Sequence, residues 1–421
     1  MFLAILQWYL IVQLVSAASL PLCRRILRFL PDKGYFAGKS FGVFSFGLVF
    51  WLANAYFVLD SSRFAAYAAL FMTAILSFVV ANRGIRSPLS FIGQQIRWYR
   101  SNKRLIILAE VIFALGFIAL IAVRLFDPAA NHTEQPMDMT MLSGIWWNAS
   151  FPPEDPWLAG YPISYYYLGY WLVAALGKLS GQHPSIAFNM GQAVWYGLLL
   201  TGVFGVGYNL GHLAKPPVGK DLSKVGALAG TVSALAVGVS SNLQGTMEWF
   251  YAQGLIPAGV GRWFGVRGFP GDAQITGAWF VGSDWWWWRS SRVITDRAPI
   301  SGDSVEVITE FPVFSYLLGD LHPHLLAMPF TALLVALALT ILLANRSTIP
   351  NRQPTEPLSR SWKPSLHEFA AAILMGSLIA INSWDFRACL LLVLLTVWAS
   401  VPGGWREKLA ACFRFLCTTV I

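Results

Sequence analysis

The sequence predicts an all-α integral membrane fold: a polytopic helical bundle of about nine or ten transmembrane helices, one re-entrant or interfacial helix, and two large outer loops. Three observations carry that prediction. Hydrophobic residues make up 56% of the 421 and charged residues only 12%, with a mean hydropathy of +0.55, a balance foreign to water-soluble domains. Apolar stretches near the roughly 20 residues needed to cross a bilayer core recur along the chain. The basic residues gather in the short connections between them, so the net charge of +9 follows the positive-inside rule and argues against a nucleic-acid partner.

Nine such stretches cover residues 2–18, 41–59, 65–80, 105–123, 190–210, 225–239, 325–343, 369–381 and 388–401, and a tenth begins near Leu409. Because Ile421 falls inside that tenth run, the chain is expected to be the front part of a longer protein. The first stretch lacks a preceding basic region and a small-residue cleavage site, so it is expected to stay as a span. Polar residues inside the spans are almost absent, which disfavours a transporter of small ions. Glycines such as those between 202 and 211 serve helix packing. Cys23, Cys389, Cys412 and Cys417 lack metal-ligand spacing and read as small hydrophobes.

Sidedness follows from charge. Arg24, Arg25, Arg28, Lys33 and Lys39 mark one cytoplasmic connection, and Arg83, Arg86, Arg97, Arg100, Lys103 and Arg104 mark a second. Arg346, Arg352, Arg360 and Lys363 mark a third, and Lys215, Lys220 and Lys224 a fourth. The loop 127–162 holds Asp127, Glu134, Asp138, Glu154 and Asp155 with no lysine or arginine and is placed outside. The connection 244–324 carries eight acids and five arginines but no lysine, a preference for fixed bidentate groups that hints at an anionic ligand. Three apolar stretches separate these loops, so they share a face only if one stretch does not cross. Residues 163–179 are the best candidate: short, opening on Tyr165, Tyr166 and Tyr167 and carrying Lys178, they are expected to lie shallow. A short extra crossing near 311–318 is the alternative. The organisation expected is 1–124 for the N-terminal spans, 125–324 for the region bearing the candidate site, and 325–421 for the C-terminal spans.

Four constellations could carry chemistry. Glu134 and Asp138, four apart, share a face if their segment is helical, where they either hold a metal or divide base and positioning roles; a solvated acidic loop is the plainer reading. Asp320, His322 and His324 set three potential metal or phosphate ligands in five residues after Glu310-Phe-Pro, against the alternative of a polar collar. The run from Trp285 to Trp288 joins an aromatic shelf to Arg289 and Arg292, suited to a lipid phosphate or to an ordinary aromatic belt. Asn382-Ser-Trp384-Asp385 adds a carboxylate between two spans, where a helix cap is the plainer role.

These residues resemble the YYY family of prokaryotic membrane proteins, named for the triplet seen here as Tyr165 to Tyr167, through Glu134-Gln-Pro-Met-Asp138, Asp155-Pro-Trp157, Ser291-Arg292, Glu310-Phe-Pro, Gly319-Asp320-Leu-His322 and Asn382-Ser-Trp384-Asp385. The layout is more distantly similar to the C-type (GT-C) glycosyltransferase superfamily, which uses polyprenyl-phosphate sugars. That resemblance implies a membrane enzyme of the plasma membrane transferring a sugar from a polyprenyl-phosphate donor on the non-cytoplasmic face. It implies Asp138 and Glu134 as catalytic pair; given that activity, Asp320, His322 and His324 are expected to bind a divalent Mg or Mn ion or the donor phosphate. Tyr165, Tyr166, Tyr167, Arg289, Arg292, Glu310 and Asp385 would bind substrate. Several spans precede the acidic loop where the superfamily usually has one, and Arg387 stands where a proline is expected. A non-catalytic subunit or carrier that binds a lipid or polymer is the competing function.

Overall fold

The computed structural model describes residues 2–56, 58–84, 87–148, 151–217, 222–263, 277, 286–347 and 364–420. Arg86, Lys220, Trp285, Arg352, Arg360, Lys363 and Ile421, which entered the sequence reading, lie outside the described residues. The structure is 74% helical beside one short two-stranded hairpin, so the all-α class stands. The chain divides into two compact units, Met1–Thr231 with Asp320–Ile421, and Val232–Gly319.

The larger unit opens with α1 (Phe2–Ile26), α2 (Gly38–Ala55), α3 (Arg63–Asn82), α4 (Pro88–Ser101), α5 (Lys103–Phe126), α6 (Gln135–Trp147), α7 (Leu168–Ser180), α8 (Pro184–Ala214) and α9 (Lys224–Leu235). The smaller unit holds a π-helical turn (Ala236–Ser240), α10 (Gln244–Ala252), α11 (Ala258–Trp263), α12 (Trp286–Ser290), the antiparallel strands β1 (Ile294–Arg297) and β2 (Ser304–Val307), and α13 (Pro312–Leu318). The larger unit then resumes with α14 (Pro323–Ser347), α15 (Leu366–Ser400) and α16 (Trp405–Val420).

Six helices among the described residues are long and apolar enough to cross a membrane, α1, α3, α5, α8, α14 and α15, and a seventh is reached if the bent pair Lys224–Ser240 and Gln244–Ala252 is one span. Their outward faces are apolar. On α5, Ile107, Val111, Leu115 and Ile118 are exposed while Ala109, Phe113, Phe117 and Leu120 are buried, two stripes at the helical repeat that suit lipid on one side and protein on the other. Local signals start and stop the helices. Ser62 and Ser87 cap α3 and α4, a Ser365–Glu368 capping box starts α15, and Gly181, in the left-handed conformation at φ 66°, ends α7. The glycines of α8 do pack helices. A Cβ on Gly211 would lie 2.8 Å from the Val225 carbonyl oxygen, and one on Gly205 would lie 2.4 Å from Phe36 Cβ.

Two features differ from the sequence reading. The first concerns charge inside the spans. Glu110 sits within the apolar run 105–123, ion-paired to Lys39 at 2.5 Å and hydrogen-bonded by Gln13 at 2.7 Å and Tyr35 at 3.2 Å. Its neutralising partner lies 71 residues away, which hides the pair in a local window. The second concerns the tyrosine-triplet segment. Its helix, α7, is 13 residues, about 20 Å and short of a bilayer core, but it does not lie shallow at a lipid surface: every one of its residues is buried. It packs among α1, α2, α3, α6, α8, α14 and α15.

Helix α15 is broken at Asn382, whose φ of −160° and ψ of 105° leave the helical region. A straight helix would hold Glu368 about 39 Å from Leu394. Both pack on α16 two residues apart, Glu368 with Arg414 at 3.3 Å and the Leu394 carbonyl with Cys412 at 3.6 Å. The two halves therefore double back on each other, with Asn382 to Asp385 at the turn.

Candidate active site at one end of the bundle

The carboxylate of Asp138 is fixed by two short helices. Pro136 fits the first turn of α6 without losing a needed amide donor, and an acid in that turn suits the positive end of the helix. Asp138 is fully buried, and one carboxyl oxygen accepts a hydrogen bond from the Tyr170 hydroxyl of α7. The other, Oδ2, is buried with no hydrogen-bond partner among the described residues. Burial, together with the negative charges of Asp320 and Glu134, pushes the Asp138 carboxyl up to about 8, against the pull of the Tyr170 hydroxyl and the Leu321 amide.

The turn before α14 closes on this carboxyl. Thr133 Oγ1 donates to Asp320 Oδ1 at 2.6 Å, and His322 Nε2 lies 2.9 Å from Glu134 Oε2. His322 Nδ1 and His324 Nδ1 are 2.6 Å apart, so one ring donates to the other. The first two of the four constellations thus meet by direct contact between Glu134 and His322. The third side is aromatic. The Tyr165 and Tyr166 rings meet in a tilted contact at 5.1 Å, and burial with the charges of Glu134 and Asp138 raises the Tyr165 hydroxyl. Tyr166 bonds Ser383 at the α15 turn at 2.8 Å, and Asp385 at that turn accepts from Asn382 at 2.8 Å and feels the charge of His324. Tyr167 faces away, its hydroxyl accepting from Trp51 of α2 at 3.1 Å.

A family pattern matches residues 45–419, most of the chain. The chain belongs to the uncharacterized membrane protein family DUF2298. No curated protein and no solved structure matches it.

In this DUF2298 chain, sequence reasoning missed several members of the site. Tyr170 reads as one more aromatic in an apolar run, and Thr133 as a loop hydroxyl. Arg124, in the last turn of α5, is 4% exposed; it donates to Asn189 Oδ1 at 2.8 Å and to the Ala129 carbonyl at 3.3 Å, and its charge reaches Asp127 and Asp320. A charged residue ending an apolar run was the available signal. Arg124 and Asn189 also line a groove of about 500 Å³ whose walls are apolar, among them Leu3, Ile5, Ile121 and Met190.

The remaining DUF2298 candidates lie in the smaller unit. Arg289 is ion-paired to the buried Glu248, which sequence reasoning also missed, and Gln244 holds the other Glu248 oxygen at 3.0 Å. Arg292 lies over the Trp288 ring at 4.1 Å and bonds Ser291, while Glu310 accepts from Ser315 at 2.8 Å. No group of three or more His, Cys, Asp or Glu among the described residues is arranged to hold a metal ion.

Proposed function

We propose that the protein is a membrane glycosyltransferase that moves a sugar from a polyprenyl-phosphate donor to an acceptor on the non-cytoplasmic face. The observation that carries this reading is the buried Asp138, poised near neutral pH within one cluster with Glu134, Asp320 and His322. The arginine-rimmed apolar groove supports a lipid-linked donor: the isoprenoid tail lies along Leu3, Ile5 and Met190, and Arg124 faces the phosphate. The acceptor hydroxyl oxygen bonds to the anomeric carbon as the bond from that carbon to the phosphate oxygen breaks. The electron pair leaves on the phosphate, and the acceptor proton passes to the ionised form of Asp138, whose share grows as the pH approaches 8. Glu134 and His322 position the acceptor. A Mg or Mn ion held by the donor phosphate with Asp320 would add positive charge at the leaving group.

On this reading the chain crosses the membrane nine times, through α1, α2, α3, α5, α8, α9 with the π-helical turn that continues it, α14 and the two arms of α15. The basic connections 24–39 and 83–104 are then cytoplasmic and α7 does not cross. The deciding experiment is transfer from a polyprenyl-phosphate sugar by purified protein in lipid nanodiscs. Asp138→Asn and Asp320→Asn are expected to lower the rate by about 100-fold or more. Wild-type rates in both variants overturn the assignment; if Arg124→Ala alone then abolishes lipid binding, the protein is a carrier.

A further inference from the structure

A second cavity, of about 520 Å³, sits at the opposite end of α5 from the acidic cluster. The 24 residues of α5 hold Lys103 about 35 Å from Phe126, so the two places are separate. The cavity is lined by Arg100, Lys103, Arg104 and His212, with Asn102 and Tyr208 between them, and no carboxylate is among its described lining residues. The carboxylate of neighbouring Asp32 is turned inward, accepting the Gly34 and Phe36 amides at 3.0 Å each. Its charge reaches His212 without closing the pocket.

The wall beside this pocket is built for a membrane surface. On α4, Leu89, Ile92 and Ile96 are exposed at helical spacing, beside Arg97 and Arg100, the pattern of a helix that lies in the headgroup plane. It is held on the bundle by Arg24, whose guanidinium lies 3.9 Å from the Trp98 ring centroid, and by Tyr35, whose ring stands 5.8 Å from the same indole. A pocket walled by a basic amphipathic helix and the start of a span receives a ligand that is anionic at its head and apolar behind.

We propose that this pocket binds the phosphodiester headgroup of an anionic phospholipid, with Arg100 engaging phosphate oxygens and Lys103 supplying a further charge. Basic surface charge alone would attract anionic lipid weakly and without regard to position, which sets the control. Full-length protein in detergent is titrated with short-chain phosphatidylglycerol and cardiolipin, and bound lipid is counted by native mass spectrometry. Arg100→Gln/Lys103→Gln is expected to weaken binding by at least about tenfold. The charge-matched Arg28→Gln/Arg83→Gln, on exposed residues outside both the pocket and α4, is expected to change it by less than about twofold. Equal losses in the two double variants, or none in either, overturn the proposal, provided both keep the wild-type melting temperature. Glycerol 3-phosphate supplied as a competitor is expected not to displace the lipid; displacement at equal concentration would assign the pocket to a soluble phosphate and overturn the lipid reading.

Discussion

Replacing Asp138 by asparagine is expected to stabilise the protein while destroying its activity, and the gain should grow with pH. In the native state the Asp138 carboxyl stays protonated to about pH 8, whereas in the unfolded chain it ionises above its ordinary value of 3.8. Folding therefore binds a proton. The cost is absent below pH 3.8, rises with pH, and is complete above about 8. At about 1.36 kcal/mol per pH unit it reaches about 4 kcal/mol at pH 7. Asparagine has the same shape, never ionises, and keeps an oxygen for the Tyr170 hydroxyl. Its amide nitrogen takes the place of Oδ2, which has no partner among the described residues, and an unmet buried donor costs about 1–3 kcal/mol. The net gain at pH 7 is thus about 1–3 kcal/mol, and at pH 5 it vanishes or reverses. Thermal unfolding of both proteins in nanodiscs at pH 5, 6, 7 and 8 measures this directly. The melting temperatures should cross and then diverge in favour of Asp138→Asn; parallel curves would refute the claim that Asp138 is held neutral by its surroundings.

Three further outcomes follow from contacts around the site and the bundle. Tyr170→Phe removes a hydrogen bond that favours ionised Asp138, so the acidic limb of the rate profile should move to higher pH by about one unit, read from kcat between pH 5 and 9. Gly169→Ala places a Cβ 2.8 Å from Leu326 Cβ; displacing α14, which follows Asp320 and His322, should cost about 1–3 kcal/mol in unfolding and lower the transfer rate together. Lys39→Met leaves Glu110 charged inside the bundle and should cost about 3–5 kcal/mol, most of it recovered in Lys39→Met/Glu110→Leu, as a double-mutant cycle would measure.

What could be read in the sequence was whatever depends on averages or on residues close together in the chain. The apolar runs mark helices because lipid contact demands about 20 apolar residues at once, six of them among the described residues long and apolar enough to cross, and Ser62 and Ser365 stand within four positions of the runs at 65 and 369. The meeting of Glu134 with His322 was approachable only through the charge of the loops, which argued for one shared face without giving a contact. Tyr170, Arg124 and the Lys39–Glu110 pair were out of reach for a common reason. Each is a polar group whose partner comes from a distant helix, so locally it is one irregularity in an apolar run, and its meaning appears only when packing supplies the second atom.

On the proposed nine-crossing reading, the short helix α7 is what lets the site form. Had the stretch after the tyrosine triplet crossed the bilayer, the loop before α6 and the turn before α14 would lie on opposite faces and Thr133 could not reach Asp320. At about 20 Å, α7 is short of a bilayer core, whereas α9 is continued by the π-helical turn to Ser240. Burying α7 also costs something, because it carries Lys178 into the interior. That charge is met by the Ser61 and Trp146 carbonyls, at 2.5 and 2.7 Å, and by the Trp146 ring at 5.3 Å. Trp146 ends the same helix that Asp138 begins. Helices α6 and α7 are therefore tied twice, at Tyr170 to Asp138 and at Lys178 to Trp146, and a Cβ at Gly177 would meet the Trp146 ring at 2.8 Å. The position of the proposed base is thus tied to a helix whose residues are all buried. Lys178→Met, which leaves both carbonyls unmet, should consequently lower the transfer rate as well as the melting temperature, whereas an activity loss without a stability loss would show that the two ties act independently.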